Sequence, residues 1–266
     1  METDLSKIGV DLVLLDMVDS TNEEIKRRAQ NGAKEGLAVM AKSQTSGQGR
    51  SGRSFFSPQS GNLYMSILLK PSDRKLFDKI TVIAAVATAN AINAVFPVKV
   101  GIKWVNDLFL NGRKIGGIIA KAENFSTENE YVVLGIGVNI YPSDDVPEEI
   151  KDIYGSIINK AGDDVLDKAG RDDTDISGGE DMAKLLGIKI LKEFFGIYRN
   201  SKSRDFMQEY RNLSCVIGKE AVYLAKEAEN TFTVLDIDNE GAIVLKDEYG
   251  NVNTYRDGEI RIRIKK

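Results

Sequence analysis

A chain of 266 residues with 42% apolar and 29% charged side chains is long enough for one large domain, or one large and one small, around a core that needs no disulfide or structural metal. Lysine and arginine number 36 against 40 acids, and a net charge of −4 does not suit a general nucleic-acid binder. Histidine is absent and cysteine occurs once, which excludes Ser-His-Asp and Cys-His catalysis, histidine- or thiolate-ligated zinc, and an internal disulfide. Chemistry must run on lysine, arginine, carboxylates, amides, backbone dipoles or bound magnesium, groups that stabilise charge in acyl and phosphoryl transfer. Met1–Val10 has no apolar signal-peptide core, and the nearest approach to a membrane span, Ile80–Phe96, is interrupted by Thr81, Thr88, Asn90 and Asn93. A cytosolic protein is expected.

In chain order, Asp11–Val18 reads as a strand. Ser20, Thr21 and Asn22 precede a helical run, Glu23–Asn31, with Ser20 and Glu23 spaced as a capping box and Gly32 as the stop. Gly36–Lys42 is a short apolar strand, Ser43–Gly61 a glycine- and serine-rich loop, and Asn62–Leu69 another strand. Phe77–Phe96 has helical spacing and ends at Pro97. Val98–Trp104 and Asp107–Leu110 read as strands, and Asn111–Gly112 as a two-residue hairpin turn. Lys114–Lys121 and Tyr131–Asn139 continue as strands. Lys151–Glu180 is polar and weakly periodic, fitting a helix plus a surface insertion, and Met182–Tyr198 and Ser203–Tyr210 read as helices. From about Leu213 the character changes. Cys215–Leu224, Thr231–Asp236, Ala242–Lys246, Val252–Tyr255 and Glu259–Ile264 alternate like short strands between turns such as Asp257–Gly258, as in a small barrel. The fold class expected is α+β: a mixed sheet with flanking helices over 1–213, then a small β-barrel over 214–266.

Two segments carry possible chemistry. Gly47, Gly49 and Gly52 satisfy G-x-G-x-x-G, but Phe55, Phe56 and Pro58 follow and the next element is a strand, so this is not a dinucleotide fingerprint. Glycines let backbone N–H groups approach an anion, Arg50 and Arg53 offer planar cationic forks, and Phe55 could stack on a flat ring; a flexible loop with two solvated arginines is the other reading. In the second segment a tight Asn111–Gly112 turn would bring Lys103 and Lys114 toward one pocket, where Asp107 could hold a lysine or help ligate magnesium. A surface hairpin with solvated charges is its alternative. Gly135 and Gly137 in one strand mark either a bulge or a close approach of ligand or backbone. Cys215 reads as a small buried side chain rather than a nucleophile. Arg261, Arg263, Lys265 and Lys266 read as a solvated strand face.

The ordered set STNEE, QTSGQGRSGRSFFSPQSGNLYMSILL, KWVNDLFLNGRKIGGII and VVLGIGVNI resembles the catalytic domain of the biotin–protein ligases, over roughly Leu14 to Ile140. The tail from about Leu213 resembles that family's small SH3-like barrel. With the first strand beginning at Asp11, the chain resembles the enzyme-only form that has no N-terminal helix-turn-helix. The resemblance implies a class II synthetase-like fold and a two-step reaction. Biotin and MgATP would give biotinyl-5′-adenylate and pyrophosphate, and a lysine of a biotin carboxyl carrier protein would then take the biotinyl group, releasing AMP. A homodimer is one expected state, and no nucleic-acid or membrane partner is expected.

The resemblance also assigns residues. Arg50 and Lys114 would be catalytic. Biotin would contact Ser20, Thr21, Asn22, Gln44, Gln48, Gly49, Gly116 and Gly117 besides those two. ATP would contact Arg53, Phe55, Lys103, Asn106, Asp107 and Asn139 as well as Arg50 and Lys114, with magnesium at Asp107. The chain departs from the family pattern at four positions. Gln48 stands where an arginine is usual, Phe55 where tryptophan is common, Val105 in place of the proline of KWPND, and Lys121 where a glutamate is often found. The alternatives are a lipoate ligase or octanoyl transferase, and a non-catalytic biotin-sensing regulator.

Overall fold

The computed structural model describes residues 5–58, 61–124, 127, 129–158, 179–224, 229–256 and 262–264. Seven strands form the first sheet: β1 (Asp11–Val18), β2 (Leu37–Gln44), β3 (Leu63–Leu69), β4 (Gly101–Lys103), β5 (Asp107–Leu110), β6 (Arg113–Glu123) and β7 (Tyr131–Val138). Their order is β1-β2-β3-β7-β6-β5-β4. Only β1 and β2 run parallel, so the sheet is mixed as expected. Helix α1 (Thr21–Gln30) covers one face. On the other lie α3 (Ile80–Val95) and α4 (Gly179–Arg199), with the short α2 (Arg74–Phe77) before α3 and α5 (Phe206–Leu213) after α4.

Strand alternation sorts the core. In β7, Val132, Leu134, Ile136 and Val138 join the main core under α3 and α4, while Tyr131 and Val133 join a smaller cluster with Ile25 of α1. The next two positions on that second face are Gly135 and Gly137. The layer is thus filled at one end of the strand and bare at the other. Pairing through these glycines is unbroken on both sides, Gly135 opposite Ser66 and Ile119 and Gly137 opposite Tyr64 and Gly117. There is no bulge, so close approach is the correct reading.

The second sheet is antiparallel and five-stranded, in the order β11-β10-β9-β8-β12: β8 (Glu220–Leu224), β9 (Glu229–Ile237), β10 (Ile243–Asp247), β11 (Val252–Tyr255) and β12 (Ile262–Ile264). It shares the main core with the first sheet. Trp104 Nε1 donates to Gly241 O at 2.9 Å, Tyr210 Oη to Val105 O at 3.0 Å, and Arg211 Nε to Ile237 O at 2.6 Å.

Several expected boundaries move for identifiable reasons. The helix expected over Phe77–Phe96 is found as α3 over Ile80–Val95, and the separate short α2, whose start Asp73 caps by accepting from Lys75 N, ends at Phe77. Of Val98–Trp104 only three residues pair as a strand, because Val98 N turns back to Phe96 O and Val100 N donates to Asn93 Oδ1. Cys215 does not open β8. Its N–H donates to Ile102 O in the first sheet, and its half-buried thiol sits against Gly101. Within the polar stretch, residues 151–158 form turns along β6 and β7, while 159–178 lie outside the described residues. So do 257–261, 265 and 266, which include the expected Asp257–Gly258 turn and Arg261. No helix among the described residues is long and apolar enough to cross a membrane.

Tyr210→Phe tests the joint near Trp104. It leaves the buried Val105 carbonyl without that donor, so a loss of about 1–2 kcal/mol is expected by chemical denaturation.

Candidate functional site

A cavity of about 580 Å³ opens over the bare end of the first sheet. That volume suits a small-molecule ligand. Its floor includes Gly117 and Gly137, facing each other on β6 and β7. A Cβ on Gly137 would come within 2.5 Å of the Phe55 ring, and one on Gly135 within 2.4 Å of Asn22 Oδ1. Both side chains therefore lie against the sheet only because those positions are glycine.

The loop between β2 and β3 supplies one wall. Its base is tied by an isolated bridge between Gln48 and Ser54, with Gly49 N donating to Arg53 O at 2.7 Å and Phe55 N to Gly47 O at 2.9 Å. A 3-10 turn, Arg50–Gly52, forms the tip. Arg50 Nη1 donates to Asn106 Oδ1 at 2.7 Å, and Asn106 Nδ2 donates in turn to Ile118 O at 2.7 Å. The loop arginine is thereby held against the other hairpin, not left in solvent. Arg53 is exposed at the edge, with its Nε 3.3 Å from Arg50 O.

The Asn111–Gly112 turn has positive φ at both residues, 50° and 77°, which gives the tight hairpin read from the sequence. It brings Lys103, Asp107 and Lys114 into the same wall, with Lys114 Nζ 2.5 Å from Asp107 Oδ1. Lys103 Nζ lies 5.4 Å from the Phe109 ring centre. Burial holds the Lys103 ammonium below the usual lysine range, Asp107 opposes that shift, and Lys114 reinforces it. The Trp104–Val105 peptide is cis.

The head of α1 is built differently from the capping box expected. Ser20 makes no side-chain cap, and its N–H goes to Asp19 Oδ1 at 2.7 Å. The Gln44 Oε1 instead accepts from Thr21 N at 2.8 Å, while Gln44 Nε2 donates to Ser57 Oγ at 3.0 Å. Ser66 Oγ lies 2.7 Å from both Thr21 Oγ1 and Asn22 Oδ1. Thr21, Asn22 and Gln44 line the cavity; Ser20 is buried behind them and does not. A helix-start serine looks alike in either role, so its spacing could not reveal this.

Apart from Ser20, every residue expected at the site borders this one cavity: Thr21, Asn22, Gln44, Gln48, Gly49, Arg50, Arg53 and Phe55 on one side, and Lys103, Asn106, Asp107, Lys114, Gly116, Gly117 and Asn139 on the other. The Asn139 Nδ2 donates to Gly155 O at 3.0 Å, and its buried Oδ1 has no partner among the described residues. Sequence reasoning missed the apolar wall of Ile150, Ile153 and Tyr154, which comes from the polar stretch after β7. It also missed a second aspect of Arg263, which is exposed on its strand as read. That residue of β12 borders the cavity beside Ile262, so it is not merely a solvated strand face. Periodicity cannot reveal which sheet a C-terminal strand will lean on.

The wall is strongly cationic. Arg50, Arg53, Lys103, Lys114 and Arg263 face one carboxylate, Asp107, among the described residues, in a chain whose net charge is −4. Such a wall concentrates an anionic ligand. No cluster of three metal-ligating side chains occurs among the described residues. Asp107 alone therefore fits magnesium only when phosphate oxygens supply other ligands, which is how this ion is usually held on nucleotides.

Residues 14–139 match the biotin/lipoate A/B protein ligase family. It is 34% identical over 160 residues to the bifunctional ligase/repressor BirA of Bacillus spizizenii, covering 59% of this chain and 49% of that one. It is 25% identical over 256 residues to BirA of Escherichia coli, covering 96% and 75%. The chain thus spans about half the length of its Bacillus relative. Its fold is that of the biotin protein ligase of Aquifex aeolicus solved with biotin and ATP, at a TM-score of 0.72 and 24% identity over 96% of this chain and 99% of that one.

Gly137→Ala should displace Phe55 and cost about 1–3 kcal/mol of stability. Gly196→Ala, in α4 where an added Cβ meets nothing within 4 Å, should be neutral or stabilising. Denaturation midpoints of the two variants check the contrast.

Proposed function

We propose that this protein is a biotin–protein ligase, which activates biotin with ATP and transfers it to a lysine of a biotin carboxyl carrier protein. The observation that carries the reading is the convergence of Arg50 and Lys114, from separate hairpins, on one glycine-floored cationic cavity. The match of residues 14–139 to the biotin/lipoate A/B protein ligase family and the printed names of the similar proteins support it.

In the first step a biotin carboxylate oxygen attacks the α-phosphorus of ATP, and pyrophosphate leaves. Two anions must meet, so the barrier is largely electrostatic. The Arg50 guanidinium and the Lys114 ammonium offset that repulsion where the new bond forms. Asn106 holds Arg50, and Asp107 holds Lys114, so neither cation must be ordered during the reaction. Thr21, Asn22, Gln44, Gln48, Gly49, Gly116 and Gly117 form the biotin side of this reading. Arg53, Phe55, Lys103 and Asn139 form the nucleotide side. Magnesium, held by Asp107 and the phosphates, would add positive charge at the phosphoryl oxygens.

In the second step the carrier lysine's amine attacks the acyl carbon of the biotinyl-adenylate, a C–N bond forms, and the C–O bond to AMP breaks. The amine's proton passes to water, and AMP departs as an anion into the same cationic wall. Until then the Gly47–Phe55 loop must keep water from the mixed anhydride. A cytosolic setting accompanies this reading, as does the division into 1–213 and 214–266.

Purified protein incubated with labelled biotin, ATP and a carrier domain should label the carrier and release pyrophosphate. Labelling by lipoate and not by biotin overturns the assignment. Lys114→Ala should lower adenylate formation by about two orders of magnitude or more. Arg50→Ala should mainly hasten escape of the adenylate. Near-normal turnover in both variants would contradict the roles of the two cations.

A further inference from the structure

The Gln48 and Lys121 side chains, the two charge departures from the family pattern, touch each other. Lys121 Nζ donates to Gln48 Oε1 at 3.0 Å, and Gln48 Nε2 donates to Glu23 Oε1 at 2.8 Å. Glu23 also pairs with Lys26 at 3.0 Å, and Lys26 with Glu123 at 2.8 Å. Lys121 and Glu123 lie two residues apart on β6, so the chain of contacts runs from the sheet to α1, to the loop, and back to the sheet. Burial pushes the Glu23 carboxyl up, but hydrogen bonds from Gln48 and Lys26 and the charges of Lys26 and Lys121 outweigh it and hold it below the usual glutamate range. Lys121 does not border the cavity.

We propose that Lys121 is a positioning residue that latches the glycine-arginine loop by clamping Gln48. The neutral amide is the only side chain in the ring offering both a donor and an acceptor, so it can join the Glu23 carboxylate to the Lys121 ammonium. Gln48 sits at the loop's base bridge, next to Gly49, and fixing it sets the direction in which Arg50 leaves toward Asn106. An arginine at position 48 could not accept from Lys121 and would face it with like charge. A glutamate at position 121 would accept from that arginine. A glutamine with a lysine, or an arginine with a glutamate, would close the same contact, so neither partner can change alone.

The inference rests on the ligase reading for its kinetic consequence but not for its structural one, so two measurements are needed. Full-length wild type, Gln48→Arg, Lys121→Glu, the double variant and Lys121→Arg are compared. The first readout is the half-life of enzyme-held adenylate after biotin and ATP are removed. The second is the rate of chymotryptic cleavage at Phe55 and Phe56 without ligand. Each single charge change should shorten the half-life and speed cleavage by about tenfold, the scale of a lost hydrogen bond to a charged group. The double variant and Lys121→Arg should return to within about threefold of wild type. Singles that behave as wild type, or a double variant showing the product of the single effects, overturn the latch. If wild type forms no adenylate while cleavage still shows rescue in the double variant, the ligase reading fails and the latch stands. A single variant that does not fold is judged by the double, whose failure to regain both readouts also overturns it.

Discussion

The missing side chains at Gly117, Gly135 and Gly137 make the rest of the site possible. A sheet face that continued with Tyr131 and Val133 would be packed shut beneath α1. Because it does not, Asn22 and Phe55 settle onto bare backbone, and a cavity remains between them and the second hairpin. Packing, in this region, gives way to space. The lost apolar burial is restored on the opposite face, where the alternate residues of the same strand enter a core shared by both sheets.

Around that space the chain assembles positive charge without leaving it loose. Lys114 rests on Asp107, Arg50 on Asn106, and Asn106 on the backbone of β6. Each holder is itself part of a strand or hairpin. Guanidinium and ammonium groups held in this way can act on an incoming anion without first losing the entropy of ordering. Gln44 shows the same double use of one group, since its amide serves the head of α1 with one atom and the loop with the other.

How much of this was legible in the sequence follows from how local each cause was. The Asn111–Gly112 turn depends on two adjacent residues that tolerate positive φ, and β1 depends on eight residues; both were readable as they stand. The glycines of β7 left a bulge and a close approach equally open, and only the unbroken pairing on both sides decides between them. The capping box at Ser20 was misread because the spacing of Ser20 and Glu23 gives the N-cap position but not whether the hydroxyl makes the bond. The apolar wall of Ile150, Ile153 and Tyr154 was hidden because its residues lie in irregular turns with no period to detect. Arg263 was hidden because its place depends on how one sheet leans upon another formed far earlier in the chain. The charge exchange at Gln48 and Lys121 was visible as two separate oddities; only the fold puts them in contact.

The joint between the sheets has an optical consequence. Trp104, the chain's single tryptophan, borders the cavity and gives its indole N–H to Gly241 in the turn between β9 and β10 of the second sheet. Its emission therefore reports from one known place, with no background from a second indole. A ligand entering beside it would change the ring's surroundings, and a second sheet rocking away would free the indole nitrogen to water. The molecule carries its own fluorophore at the seam between its two sheets.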